Sequence, residues 1–176
     1  MIRVDGHDCW HELINNNPEN NNDSVDQLRF RLQQTEGICT EISWLSLCEA
    51  ENILKYTREF PNIKRAVFYK TNIDYLDPEY CLQEDLDFFC EYQSNSFDID
   101  VEFQNLNPLN HKPIEQDHLE LCLAKLNSLY WVAKDREFYM ETDSNTTMYK
   151  WYSIIKLNYP QFSLEQYHNM ILNSLQ

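Results

Sequence analysis

The stretch "HDCWHE", residues 7 to 12, places two imidazoles, a thiol and two carboxylates in six positions. These are the groups that ligate zinc. If the segment is extended, His7, Cys9 and His11 share one face; if it is helical, His7 and His11 lie one turn apart. Either arrangement offers two or three ligands, whereas zinc takes four, or three and a water. The remaining histidines, His111, His118 and His168, are solitary and supply no second pair. "HELIN" lacks the second histidine of H-E-x-x-H. Asp5-Gly6 is a turn signal between "IRV" and "HDCW", so the stretch reads instead as half of a small terminal hairpin. We expect no metal centre and no cofactor.

Other chemistries are also thin. His118 and His168 lie on or beside apolar helical stripes, where a histidine is more often packed than basic. No G-x-S-x-G elbow occurs, so no nucleophile is signalled. Gly6 and Gly37 are the only glycines, which removes both the P-loop and the dinucleotide fingerprint. The strand-like "DIDVE" could hold a divalent cation between alternate carboxylates, as in a nuclease. Yet residues 71 to 111 contain no lysine or arginine to bind phosphate. No catalytic residue is assigned.

The strongest signal is charge. The chain has 29 acids against 14 lysines and arginines, a formal net of −15. Between residues 72 and 120 there are thirteen acids and one base, Lys112. Within that region Glu84, Asp87 and Glu91 fall at i, i+3 and i+7, one carboxylate stripe on a helix. Asp98, Asp100 and Glu102 alternate with Phe97, Ile99, Val101 and Phe103, a half-buried strand with an acidic outer face. Unmixed acid repels itself, so it is easier to understand when a cationic partner neutralises it. Tyr75, Tyr80, Phe88 and Tyr92 lie among these acids and suit interface anchors.

The elements that must position these groups follow from periodicity. At 176 residues and 43% apolar content, the chain reads as a single globular domain, 1 to 176, with a sizeable core. "NNNPENNND" (15 to 23) is an Asn-rich surface loop. "DSVDQLRFRLQQ" reads as a helix capped by Asp23 or Ser24, with Val25, Leu28 and Leu32 on one side and Gly37 at its end. Residues 39 to 60 read as a helix apolar on several sides, stopped by Pro61. Residues 63 to 70 read as a central strand. Asp77-Pro78 starts a helix from 78 to 93 with Leu82, Leu86 and Phe89 inward. Residues 97 to 103 follow as a strand, and the strand-helix-strand unit suits a βαβ crossover.

A long helix from Ile114 to Ala133 carries Leu119, Cys122, Leu123, Leu126, Leu129, Tyr130 and Ala133 in one stripe. Residues 136 to 141 suit strand or helix equally. Residues 145 to 157 look helical, and Ser163 to Gln166 forms a capping box for a last helix. The expected fold is helix-rich, α+β or α/β, with a small sheet near 63–70 and 97–103. The six cysteines show no C-x-x-C and no leader begins the sequence, so they read as reduced thiols of a cytoplasmic protein. No apolar run suits a membrane span.

The functional expectation is a non-enzymatic acidic protein that docks on a basic protein partner, without binding nucleic acid or membrane, and neutralises it. An immunity protein against a nuclease-type toxin fits best. A nucleic-acid-mimicking antagonist of a defence or nucleic-acid-processing complex, or a hydrolase or transferase with a scattered site, are the alternatives. The expected partner-binding residues are Glu84, Asp87, Glu91, Tyr92, Asp98, Asp100 and Glu102.

Overall fold

The computed structural model describes residues 1–6, 25–93, 98–135, 147–161 and 163, excepting the side chains of 130–135 and 148. The expectations for 7–24, 136–146 and 164–176 lie outside the described residues. In chain order the elements are β1 (Ile2–Arg3), α1 (Val25–Leu32), β2 (Gly37–Ile42), α2 (Ala50–Thr57), β3 (Arg65–Lys70), α3 (Gln83–Gln93), β4 (Asp100–Gln104), α4 (Gln116–Asp135) and α5 (Thr147–Asn158). Short 3-10 turns cover Leu47–Glu49, Asp74–Leu76 and Pro78–Tyr80.

The four strands form one parallel sheet in sequence order, β1-β2-β3-β4. The fold is therefore α/β. β3 is interior, as its β-branched and aromatic run implied, and β4 lies at the edge of the described sheet. When neighbouring parallel strands follow one another in sequence, right-handed crossovers put every connecting helix on the same face. Burial agrees: Ile38, Thr40, Ile42, Ala66 and Phe68 are buried, whereas Cys39, Glu41 and Tyr69 on the other face are half-buried and Arg65 is exposed. One face is thus closed by helices; the other is the more polar, with Val67 buried among Cys39, Glu41 and Tyr69. The buried hydroxyl of Thr40 donates to the carbonyl of Val4 at 2.6 Å, tying β2 to β1.

Two sequence readings need correction. Residues 39 to 60 are not one helix: the first part is β2, followed by the 3-10 turn and then α2. Ile38, Thr40 and Ile42 are spaced for a strand, and six register pairs with β3 settle it, from Gly37 opposite Arg65 to Ile42 opposite Lys70. Gly37 accordingly opens a strand rather than only closing a helix. Residues 78 to 93 are likewise interrupted. Asp77 caps the Pro78–Tyr80 turn by accepting from the Glu79 amide at 3.0 Å, and α3 begins only at Gln83.

The core lies between the closed face and the helices. Its largest fully buried side chains include Trp44, Trp151, Tyr80, Phe68 and Phe89. Each polar handle is satisfied: Trp44 Nε1 donates to Tyr75 O at 3.0 Å and Trp151 Nε1 to Leu45 O at 2.9 Å. These bonds join α5 and the turn after β3 to the loop after β2. Cys122 of α4 adds a thiol contact to Tyr75 O at 3.2 Å. Cys122, Leu126 and Leu129, from the predicted stripe of α4, are buried.

Candidate functional site

Helix α3 is placed by its apolar side. Leu86 and Phe89 are buried, and Phe89 meets Phe103 of β4 edge-on at 5.8 Å, while Phe103 stacks on Phe68 at 5.3 Å. α3 therefore covers the closed face of β3 and β4. Acids in its first turn, Glu84 and Asp85, complement the partial positive charge of the helix start. The opposite side faces solvent, where Glu84, Asp87 and Glu91 are exposed as one stripe. Asp87 accepts from Gln83 Nε2 at 2.8 Å. Among the described residues, no lysine or arginine pairs with Glu84 or Asp87.

Beside the stripe lies a groove of about 380 Å³ between α3, the Leu47–Asn52 segment and α5. Its lining includes Cys48, Glu51, Asp85, Phe88, Tyr92 and Lys150. Phe88 is 53% exposed and stacks on Tyr92, with centroids 6.2 Å apart and planes 16° apart. Lys150 reaches from α5 to Asp85 at 2.8 Å. Burial raises the Tyr92 hydroxyl pKa; Arg58 opposes this and Glu51 adds to it. Burial also pushes the Cys48 thiol well above its ordinary value, and the adjacent Glu49 carboxyl adds to the effect.

The strand acids are placed differently. With Phe103 on the closed face, Asp100 and Glu102 point to the polar one, on the opposite side of the sheet from α3. There they meet a base. Arg65 lies 2.5 Å from Glu102 and 3.9 Å from Asp100. Asp98 precedes β4 and lies 4.0 Å from Arg58, which follows α2 and also acts on Tyr92. A hydrogen bond from Gln104, then one from Arg65, lowers the Glu102 pKa. The helix stripe and the pair Asp100 and Glu102 therefore do not form one continuous surface. Tyr92 belongs with the helix set.

Other titratable groups are structural by their contacts. Asp77 accepts from Lys112 at 2.6 Å and pairs with Lys70 at 3.2 Å. Burial pushes its carboxyl up, but hydrogen bonds from Lys112, the Glu79 amide and Lys70 outweigh this and leave its pKa lowered. His118 Nδ1 lies 2.6 Å from the Tyr80 hydroxyl, and His111 Nδ1 lies 2.7 Å from Cys81 O. Tyr80 is fully buried, not an exposed anchor, because its ring completes the core and its hydroxyl has His118. On the polar face, Asp5 is buried with Arg3 Nε at 2.6 Å, and Arg3 also pairs with Glu41 at 2.8 Å.

His7, Cys9, His11, Glu12 and His168 lie outside the described residues. Among the described residues, no group of three or more His, Cys, Asp or Glu is placed to hold a metal ion. No described helix is long and apolar enough to cross a membrane. Sequence reasoning missed Glu51, Cys48 and Lys150, which reach the groove from segments remote from α3 and carry no local signature. Neither a family model, nor a curated protein, nor a solved structure matches the chain.

Proposed function

We propose that the protein is a non-enzymatic binding protein that docks the solvent side of α3 onto a basic protein partner and neutralises it. The observation that carries this reading is the adjacency, on one helix, of the exposed acids Glu84, Asp87 and Glu91 with the exposed ring of Phe88 at a groove. Carboxylates steer a cationic partner over distances of a Debye length, and a desolvated aromatic beside them supplies the contact that holds it. Asp98, Asp100 and Glu102 fall outside the docking patch in this reading, because Arg58 and Arg65 offset their charge.

An immunity protein against a nuclease-type toxin is the specific class we favour. The active site of such a toxin must be cationic to hold phosphate, and an aromatic anchor suits a protein interface better than charge mimicry alone. The test is site-specific cross-linking with a photoreactive side chain at position 88, and at Gln104 on the polar face as comparison. The reading expects a basic protein of the source cells to cross-link from position 88 and not from 104. Cross-linking from 104 alone, or to acidic proteins, contradicts it.

A further inference from the structure

We propose that the groove beside α3 receives an arginine side chain of the partner, its guanidinium laid on the exposed Phe88 ring of the Phe88–Tyr92 stack and its N–H groups directed to Glu51 and Asp85. This inference rests on the reading of α3 as the docking helix and names the group that anchors there.

Size, shape and charge each support it. A groove of about 380 Å³ lies at the small end of ligand sites, suited to one long side chain rather than a folded segment. Phe88, 53% exposed, stacks on Tyr92 with planes 16° apart, so the exposed aromatic surface of the pair is the Phe88 ring. A flat cation stacks on such a ring and gains from its quadrupole. The lining holds two carboxylates and one ammonium, and each carboxylate has one oxygen engaged: Glu51 Oε1 with Lys55 at 2.5 Å, Asp85 Oδ1 with Lys150 at 2.8 Å. The proposal assigns the second oxygen of each to the incoming N–H groups. Lys150 itself shows that α3 already seats a cation at this depth. Arginine fits better than lysine because its planar fork serves two acceptors while its face stacks, whereas an ammonium is a compact and strongly hydrated point charge. An anion would meet Glu51, Asp85 and the neighbouring stripe.

The experiment titrates the full chain with Nα-acetyl-arginine amide, following the aromatic resonances of Phe88 and Tyr92. Nα-acetyl-citrulline amide serves as the neutral isostere and Nα-acetyl-lysine amide as the unstacked cation. We expect a saturable response with a dissociation constant on the order of 1 to 10 mM, normal for a fragment of this size. Citrulline should bind at least about tenfold more weakly, with lysine in between. Phe88→Ala should abolish the response. Glu51→Gln, a change on the rim of α2 that leaves the core untouched, should weaken it several-fold. Equal responses to arginine and citrulline, no saturable response, or binding unchanged in Phe88→Ala would overturn the inference. Failure here with cross-linking from position 88 intact removes only the arginine anchor. The reverse outcome removes the docking reading and leaves a guanidinium site.

Discussion

Arg65 Nη2 lies 2.5 Å from Glu102 Oε2, across a parallel ladder in which Arg65 stands opposite Asp100. An acidic strand that looks unopposed in sequence is thus matched by a base 37 positions earlier. The hydrogen bond from Gln104 is the larger cause of the lowered Glu102 pKa and Arg65 the next. Gln104→Ala should therefore move the Glu102 pKa up towards the ordinary glutamate value, and Arg65→Ala should do so in part. Carboxyl NMR titration checks this. Because the pair is exposed, neither change should measurably alter the fold.

The buried carboxyl of Asp5 gives a pH dependence of the opposite kind. Burial raises its pKa to about 6, against the Arg3 guanidinium and the Glu41 amide, which lower it. The native state therefore binds more protons than the unfolded chain between pH near 4 and pH near 6, and stability from this group falls as pH rises through that window. The loss is on the order of 3 kcal/mol at most. Asp5→Asn should remove that slope, so its stability relative to the wild type should rise across the window. Urea midpoints at both ends of the window measure it, and parallel curves would contradict it.

Thr147, at the first residue of α5, donates to the buried Glu49 carboxylate, which also accepts from Asn52. Thr147→Val keeps the shape and removes the donor. Hydrogen bonds to buried charged groups are worth about 1.5 to 3 kcal/mol, so a destabilisation of about 2 kcal/mol is expected. Hydrogen exchange should quicken first in the opening turn of α5. A loss under about 0.5 kcal/mol would mean that this contact does not hold α5 in place.

Burial holds the Cys122 thiol at about 12 and the Cys81 thiol well above its ordinary value. Thiolate is the reactive form. Ellman's reagent should therefore modify the half-buried Cys90 well before Cys81 or Cys122, which should react only at the rate of opening. Peptide mapping of partly labelled protein shows the order, and equal labelling of Cys81 and Cys90 would contradict it.

Much of α3 and its stripe was legible because the needed pattern is local: Leu86 and Phe89 inward, Glu84, Asp87 and Glu91 outward; its start was not, because Asp77-Pro78 opens a separate 3-10 turn and α3 begins at Gln83. β2 was not legible, because Ile38, Thr40 and Ile42 run without a break into Trp44, Leu45 and Leu47, and together they mimic a helix apolar all round. Only pairing on both sides distinguishes them. The candidate site shows the same division. Phe88 and Tyr92 stand out in the sequence, but Lys150 meets Asp85 from 65 positions away, Arg65 reaches Asp100 and Glu102 only through parallel register, and Arg58 reaches Asp98 from the end of α2. Charge counted along the chain could not see either pairing.

The central claim concerns the helix stripe, and association kinetics test it most directly. The triple variant Glu84→Gln, Asp87→Asn, Glu91→Gln and the strand variant Asp98→Asn, Asp100→Asn, Glu102→Gln are compared with wild type at low and high ionic strength, against the partner cross-linked from position 88. Both should keep the wild-type circular dichroism, since exposed carboxylates contribute little to stability. Long-range attraction raises association rates by roughly 10- to 1000-fold and fades with salt. The account predicts that the helix variant associates at least about tenfold more slowly at low salt and loses its salt dependence, while the strand variant stays close to wild type. Unchanged rates in a folded helix variant, or a loss confined to the strand variant, would contradict it.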